Sequence, residues 1–348
     1  MSAPSGTGPA RRTLAAAVAV TLVTGLALAG CGGGSEPKAP TQQPPPPAAA
    51  PTPGGPGCAK PATVTVHNAG ELTAALAAAK PGAVIQMVDG NYAGSFTATT
   101  KAPAEQPITL CGTRAAVIDG GESTYSVYLN GATSWVLAGF TIRNGQKGLM
   151  IDEGQHNLVD GLDIGNNQDE ALHLRKNSSD NVVRGNVIHD TGLKQQKFGE
   201  GLYIGSAKSN WGRYTGGQPD RSDRNLLENN TVSRTTAESV DIKEGTSGGI
   251  LRNNNFTGPL SDADSWVNVK GNDWQILGNT GHGSSQDGFT VHQILDGWGI
   301  NNVFENNTAV VDGPGYGINV TKNKELNRVS CNNKAEGAAK GLTNTDCV

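Results

Sequence analysis

The chain has 348 residues, 48 of them glycine and 18 proline, and its 27 Lys and Arg against 31 Asp and Glu leave a formal charge of −4. It has no basic tail and no Lys/Arg run, which argues against nucleic acid as a partner. An anionic ligand would have to be met by local clusters of cations.

The chain opens with Arg11-Arg12 and an apolar run from Leu14 to Ala29. That run falls short of the ~20 residues of a membrane span, and small residues follow it, so residues 1–30 read as a signal peptide. Leu28-Ala29-Gly30-Cys31 has the form of a bacterial lipobox, which predicts lipidation at Cys31 and an exported protein at the cell surface or outside the cell. Residues 31–57 are Gly, Pro, Ala, Thr and Gln with almost no apolar bulk, a composition that stays extended and serves as a tether. Losing the first 30 residues removes two arginines and no acid, so the charge moves from −4 to −6.

The remaining domain, 58–348, suits one elongated solenoid, and a monomer is the expected state. It carries Cys58, Cys111, Cys331 and Cys347, an even set that in an exported chain predicts two disulfides with three possible connectivities. Pairing Cys58 with Cys111 and Cys331 with Cys347 would pin the two ends of a stack, where coils lack a neighbour. No Cys/His group has zinc-ligand spacing.

Gly70–Lys80 is Ala- and Leu-rich, closed by Pro81-Gly82, and predicts a helix. Beyond it, Gly and Asn punctuate short apolar runs. The triplets Leu149–Ile151, Leu172–Leu174, Leu202–Ile204, Val240–Ile242, Val267–Val269, Phe289–Val291 and Ile318–Val320 recur with apolar ends and variable middles, as strands with one face inward do. Asn186, Asn230, Asn254, Asn279 and Asn307 form a second register. Stacked asparagines at a tight turn can take a left-handed backbone and bond to one another up the stack. The two registers together predict an all-β fold, a right-handed parallel β-helix with the helix as its N-terminal cap. A propeller or β-sandwich would show hairpin turns and antiparallel pairs instead. The widest gap between triplets holds Ser206–Arg224, a polar loop with Trp211 and Tyr214, expected to hang beside the binding face.

Rungs of a parallel stack lie ~4.8 Å apart, so residues at one offset form a column. Before the triplets come Lys147, Glu170, Glu200, Glu238, Ser265 and Asp287; after them come Asp152, Arg175, Gly205, Lys243, Lys270 and His292. The middles, His173, Tyr203, Asp241, Asn268, Thr290 and Asn319 among them, are polar or aromatic and are expected to face water. Lys243 and Lys270, one rung apart, should depress each other's pKa, which would ready a lysine as a general base. Glu200, Glu238 and Asp241 would repel one another without a cation, and their hard oxygens suit Ca²⁺. A base beside a cation that neutralises a uronate carboxylate is the equipment of β-elimination from an acidic polysaccharide. The bland reading of such columns is a solvated surface.

Lys80-Pro-Gly-Ala-Val-Ile-Gln-Met-Val-Asp-Gly-Asn-Tyr92, Gln106-Pro-Ile-Thr-Leu110 and Ile118-Asp-Gly120 resemble the opening of β-helical polysaccharide lyases of the alginate lyase and chondroitinase-B type. Glu200-Gly-Leu-Tyr-Ile-Gly-Ser206 is similar to that family's Glu-x-Ile-Arg-Ile-Gly rung, and Ala237-Glu-Ser-Val-Asp-Ile-Lys243 to its Glu-x-x-x-x-Lys rung. The resemblance spans about Gly70 to Gly288 and implies Glu238 as a calcium ligand and Lys243 as the base. Two positions depart from the pattern. Lys270 in Val-Lys-Gly stands where the family has its acid in Arg-His-Gly, and Tyr203 stands where it has a substrate-binding arginine. Lys270 and Tyr203 are therefore the candidate proton donors. Arg175, His173, Asn268, His292 and Trp211 are the expected substrate contacts, and Glu200, Glu238 and Asp241 the expected metal ligands. A resemblance to pectate lyases, some of which pair a lysine base with calcium, is equally close. A polygalacturonase-like hydrolase using Glu238 and Asp241, a uronate C5-epimerase, and a non-catalytic glycan-binding surface protein are the alternatives.

Overall fold

Three-residue strands with apolar ends dictate the architecture, because each can bury two side chains inward while its middle residue points out. The computed structural model describes residues 58–258 and 260–348; the expected signal peptide, Cys31 and the whole of the tether lie outside the described residues. Among the described residues no helix is long and apolar enough to cross a membrane.

The chain visits three parallel sheets in rotation, of 11, 9 and 10 strands. Val182–Arg184, Val187–His189 and Leu202–Ile204, for example, are successive sides of one turn. Every pairing between strands is parallel, so the same offset repeats from turn to turn. Inside the coil, Leu172, Leu202, Val240, Val267, Phe289 and Ile318 stack in one essentially solvent-free column.

The nine-stranded sheet carries the expected register. Met150, His173, Tyr203, Asp241, Asn268, Thr290 and Asn319 are consecutive partners along it. The expectation that these middles face water is corrected. Met150 and Thr290 have no exposure and Asp241 has 1%. Rungs this close press side chains of one column against each other, and flanking loops rise beside them.

The asparagines stack as expected. Oδ1 of Asn230 accepts from both the backbone N–H and the side-chain amide of Asn186, and the pattern continues through Asn254, Asn279, Asn307 and Asn333. A second column runs through Asn157, Asn181 and Asn225. The left-handed backbone, however, belongs to the residue before each stacked asparagine: Gly185, Asn229, Asn253, Gly278 and Asn306. The corner is turned there, which leaves the next side chain to bury its amide with its bonds met internally.

The capping helix spans Ala69–Ala78. Asn68 caps it by accepting from the Glu71 N–H, and Leu72 and Leu76 are buried over the first coil. Cys58–Cys111 and Cys331–Cys347 are both disulfides, with Cα atoms 5.3 and 5.0 Å apart. The loop after Leu202–Ile204 contains a short helix, Lys208–Tyr214, where an irregular segment was expected.

Candidate active site

Asp241 is the centre of the nine-stranded face. Wholly buried, it gives one oxygen to Lys270, whose Nζ donates to Oδ1 at 2.6 Å, and the other to Lys243. This reverses, for Lys243, the expectation of a lowered pKa. Burial pulls the Lys243 ammonium down, but the Asp241 carboxylate opposes it and holds the pKa above the usual lysine value. Burial raises Asp241 in turn, and the charges of Lys270 and Lys243 bring it below the usual carboxylate range. A carboxylate between two ammonium groups removes the repulsion that the bare spacing implied.

The two lysines face different clefts. Lys243 and Tyr203 line a cleft of about 640 Å³ with Lys147, His173, Arg175 and Arg213. Lys270 lines a second of about 580 Å³ with Glu238, Asp262, Asp264, Asn268 and His292. The expected catalytic trio is thus divided, and of the two candidate proton donors it is Tyr203 that shares a cleft with Lys243. The Lys243 Nζ stands 4.9 Å from the centroid of the Tyr203 ring. Burial, followed by neighbouring carboxylates, pushes the Tyr203 phenol well above its ordinary value, despite the opposing charge of Lys243.

His173 fixes Tyr203 from the preceding rung. Its ring lies 4.1 Å from the Tyr203 ring, Nε2 is 2.8 Å from the Gly205 carbonyl, and Nδ1 is 3.4 Å from Glu170. Gly205 is at φ +82, and a Cβ there would lie 2.5 Å from Thr246 Cγ2, so the column that gives Arg175 and Lys243 must skip a side chain between them. Glu170 is ion-paired to Lys147. Arg175 is held by Asp152 at 2.6 Å and by the Tyr125 hydroxyl at 2.9 Å, and packs over the Tyr214 ring at 4.1 Å.

Trp211, an expected substrate contact, lines neither cleft. Its ring is 7% exposed and its Nε1 donates to the Ser206 carbonyl at 2.9 Å, which anchors the loop helix from beneath. An indole among polar loop residues reads as exposed, yet burying it is what folds the loop. The aromatic that reaches the cleft is Tyr214, with Arg213 beside it. Asn268 donates to Glu238, and His292 lies 3.3 Å from Asp264, so both expected contacts belong to the second cleft. Lys197, Phe198 and Arg213 also line the main cleft, and the strand registers could not have found them because they sit on loops. The one available signal was an aromatic within the polar run Lys194–Lys197 and Gly199.

Glu200, Glu238 and Asp241 bring carboxylate oxygens within 4.8 Å of one another. Burial, then the charges of Glu170, Asp241 and Glu238, push the Glu200 carboxyl well above the usual range, and burial and Asp241 raise Glu238 likewise. Glu200 Oε2 is buried without a hydrogen-bond partner. Hard, crowded oxygens with one orphaned donor atom fit a divalent cation of the Ca²⁺ type.

A family model described as a right-handed β-helix region matches residues 115–215. The crystal structure of an alginate lyase from Paenibacillus sp. str. FPU-7 is similar at 35% identity, covering 81% of this chain and 98% of that one, with a TM-score of 0.74. The crystal structure of pectate lyase Pel9A shares the fold at 14% identity, covering 83% of this chain and 79% of that one, with a TM-score of 0.60. No curated protein matches. With its coils, its register and this relative taken together, the chain belongs to the right-handed parallel β-helix polysaccharide lyases.

Proposed function

We propose that this protein cleaves a uronic-acid polysaccharide by β-elimination, with Lys243 as the base and Tyr203 as the acid. The observation that carries the reading is the contact of Lys243 with Tyr203 on the floor of a cation-lined cleft. Neutral Lys243 takes the C5 proton, the electron pair forms the C4=C5 double bond, and the C4–O bond breaks. The leaving oxygen takes the proton of Tyr203, a phenol that burial keeps protonated. Asp241 holds Lys243 in place and in the resting enzyme keeps it charged.

Glu200, Glu238 and Asp241 are the proposed holders of Ca²⁺. Bound there, the ion would add positive charge toward the substrate carboxylate. Because the 35%-identical relative is an alginate lyase, alginate is the first polymer to test. Export, a lipid anchor at Cys31 and a monomeric state complete the proposal and rest on the sequence.

A hydrolase pairing of Glu238 with Asp241 would leave Lys243, which shares its cleft with Tyr203, without a role. The test is incubation with alginate, pectate, glucuronan and chondroitin, with calcium or with a chelator. Ultraviolet absorbance of the unsaturated product should rise with one polyuronate, fall on chelation and return with calcium. New reducing ends without absorbance would point to hydrolysis, C5 inversion without scission to epimerisation, and binding without either to a non-catalytic module. Activity untouched by chelation would remove the metal from the proposal.

A further inference from the structure

The cations of the main cleft fall into two kinds. On the floor, Lys147, Arg175 and Lys243 are each ion-paired, to Glu170, Asp152 and Asp241. On the walls, Lys197 and Arg213 are exposed, and among the described residues neither has a carboxylate within ion-pair reach. The walls belong to the loops that enter and leave the strand Leu202–Ile204, so the two cations rise from opposite ends of the strand that carries Tyr203.

Each wall cation lies on an aromatic ring. The Lys197 Nζ is 4.7 Å from the Phe198 centroid, and the Arg213 guanidinium carbon is 5.1 Å from that of Tyr214. Phe198 is 40% exposed at the mouth of the cleft, an apolar ring with no visible structural reason to be there. A ring beside a cation offers an apolar surface for the C–H face of a sugar and a charge for its carboxylate.

Both walls are braced. Glu244 accepts from the Lys208 N–H at 2.7 Å, and Asp220 accepts from the N–H groups of Lys176 and Asn177 at 3.0 and 2.8 Å. Opposite, Thr236 donates to the Gln196 carbonyl at 2.7 Å. Loops fixed this way hold the wall groups in place before any ligand arrives.

We infer that Lys197 with Phe198 and Arg213 with Tyr214 form a two-sided clamp for uronate residues flanking the sugar that reacts. The clamp rests on the polyuronate reading of the site and adds to it a minimum substrate length. It should favour oligomers that reach both walls over those that fill only the floor.

The experiment compares Lys197→Ala, Arg213→Ala, the double variant and Phe198→Ala with the parent on polymannuronate and on a mannuronate disaccharide through hexasaccharide series. Exposed side chains on braced loops leave the fold intact, which circular dichroism checks. Each charge removed should raise KM by about two- to fivefold and the double variant by roughly tenfold, with kcat changing less. The salt dependence of kcat/KM should flatten, and the advantage of longer oligomers should shrink. Lys334→Ala, an equal charge change on a strand of another sheet, is the control and should match the parent. A KM, salt slope and length preference in the double variant equal to the parent's would overturn the clamp while leaving the lyase reading standing. Calorimetry with mannuronate tetrasaccharide on Lys243→Ala separates the other failure. Binding to Lys243→Ala that is lost once Lys197 and Arg213 are also replaced, while the parent forms no unsaturated product, would keep the clamp and sink the reaction. No binding and no product would sink both.

Discussion

Two clefts built on the same strands carry opposite charge. The main cleft is lined by five Lys and Arg against three Asp and Glu, whereas the second has Lys270 alone against Glu238, Asp262 and Asp264. Asp241 divides them, one oxygen to each side. The strands beneath are near-identical rungs, so the difference in sign comes from the loops and from single positions after each strand. A polyanion is drawn to the first cleft and repelled at the second, which would give the groove a charged end as well as a centre.

That contrast can be broken at several points. Tyr203→Phe removes the phenolic proton of the proposed acid and should lower kcat by about 10² to 10³ with the fold unchanged, measured by product absorbance and circular dichroism. A change under about tenfold would free Tyr203 of its role as acid. The pH profile sharpens the same point. The proposed base, Lys243, can take a proton only when neutral, and the opposing charge of Asp241 keeps its pKa above the ordinary lysine value. The rate constant kcat/KM should therefore climb with pH by up to about tenfold per unit, without a plateau below about pH 9. A plateau at neutral pH would show that some other group takes the proton.

Weaker effects test what the clefts share and what separates them. Asn254→Ala leaves the buried amide groups of Asn230 without their acceptor and should cost about 1–3 kcal/mol, lowering the melting temperature by several degrees. Because both clefts stand on that column, the loss should not favour either. The smallest effect is expected from Asp262→Asn with Asp264→Asn. Relieving repulsion at the acidic end should lower KM for a polyuronate by about two- to fivefold at low salt, and a rise would show that these acids help to bind it.

Much of the coil was legible in the sequence because its signals are local and repeated. Triplets with apolar ends and asparagines at a constant offset fixed which residues would be neighbours, down to the partnership of Tyr203 with Asp241 and Asp241 with Asn268. The grouping of Glu200, Glu238 and Asp241 was legible for the same reason. Electrostatics was not. Spacing placed Lys243 near Lys270, but only the folded coil puts the Asp241 carboxylate between them and turns each lysine toward its own cleft. Loops were the other blind spot. Trp211 and Tyr214 read alike in a polar segment, and one is buried as an anchor while the other faces the cleft. Lys197 and Phe198 had no repeat to mark them.

The most direct measurement compares Lys243→Ala with Lys270→Ala on the same polyuronate, by absorbance of the unsaturated product under saturating substrate. Lys243 faces the cleft with Tyr203, so its loss should remove activity by about 10³-fold or more. Lys270 reaches the proposed site only indirectly, through Asp241 and Glu238, so its loss should cost about tenfold at most. Equal losses, or the larger loss at Lys270, would contradict the division of the two lysines between the clefts.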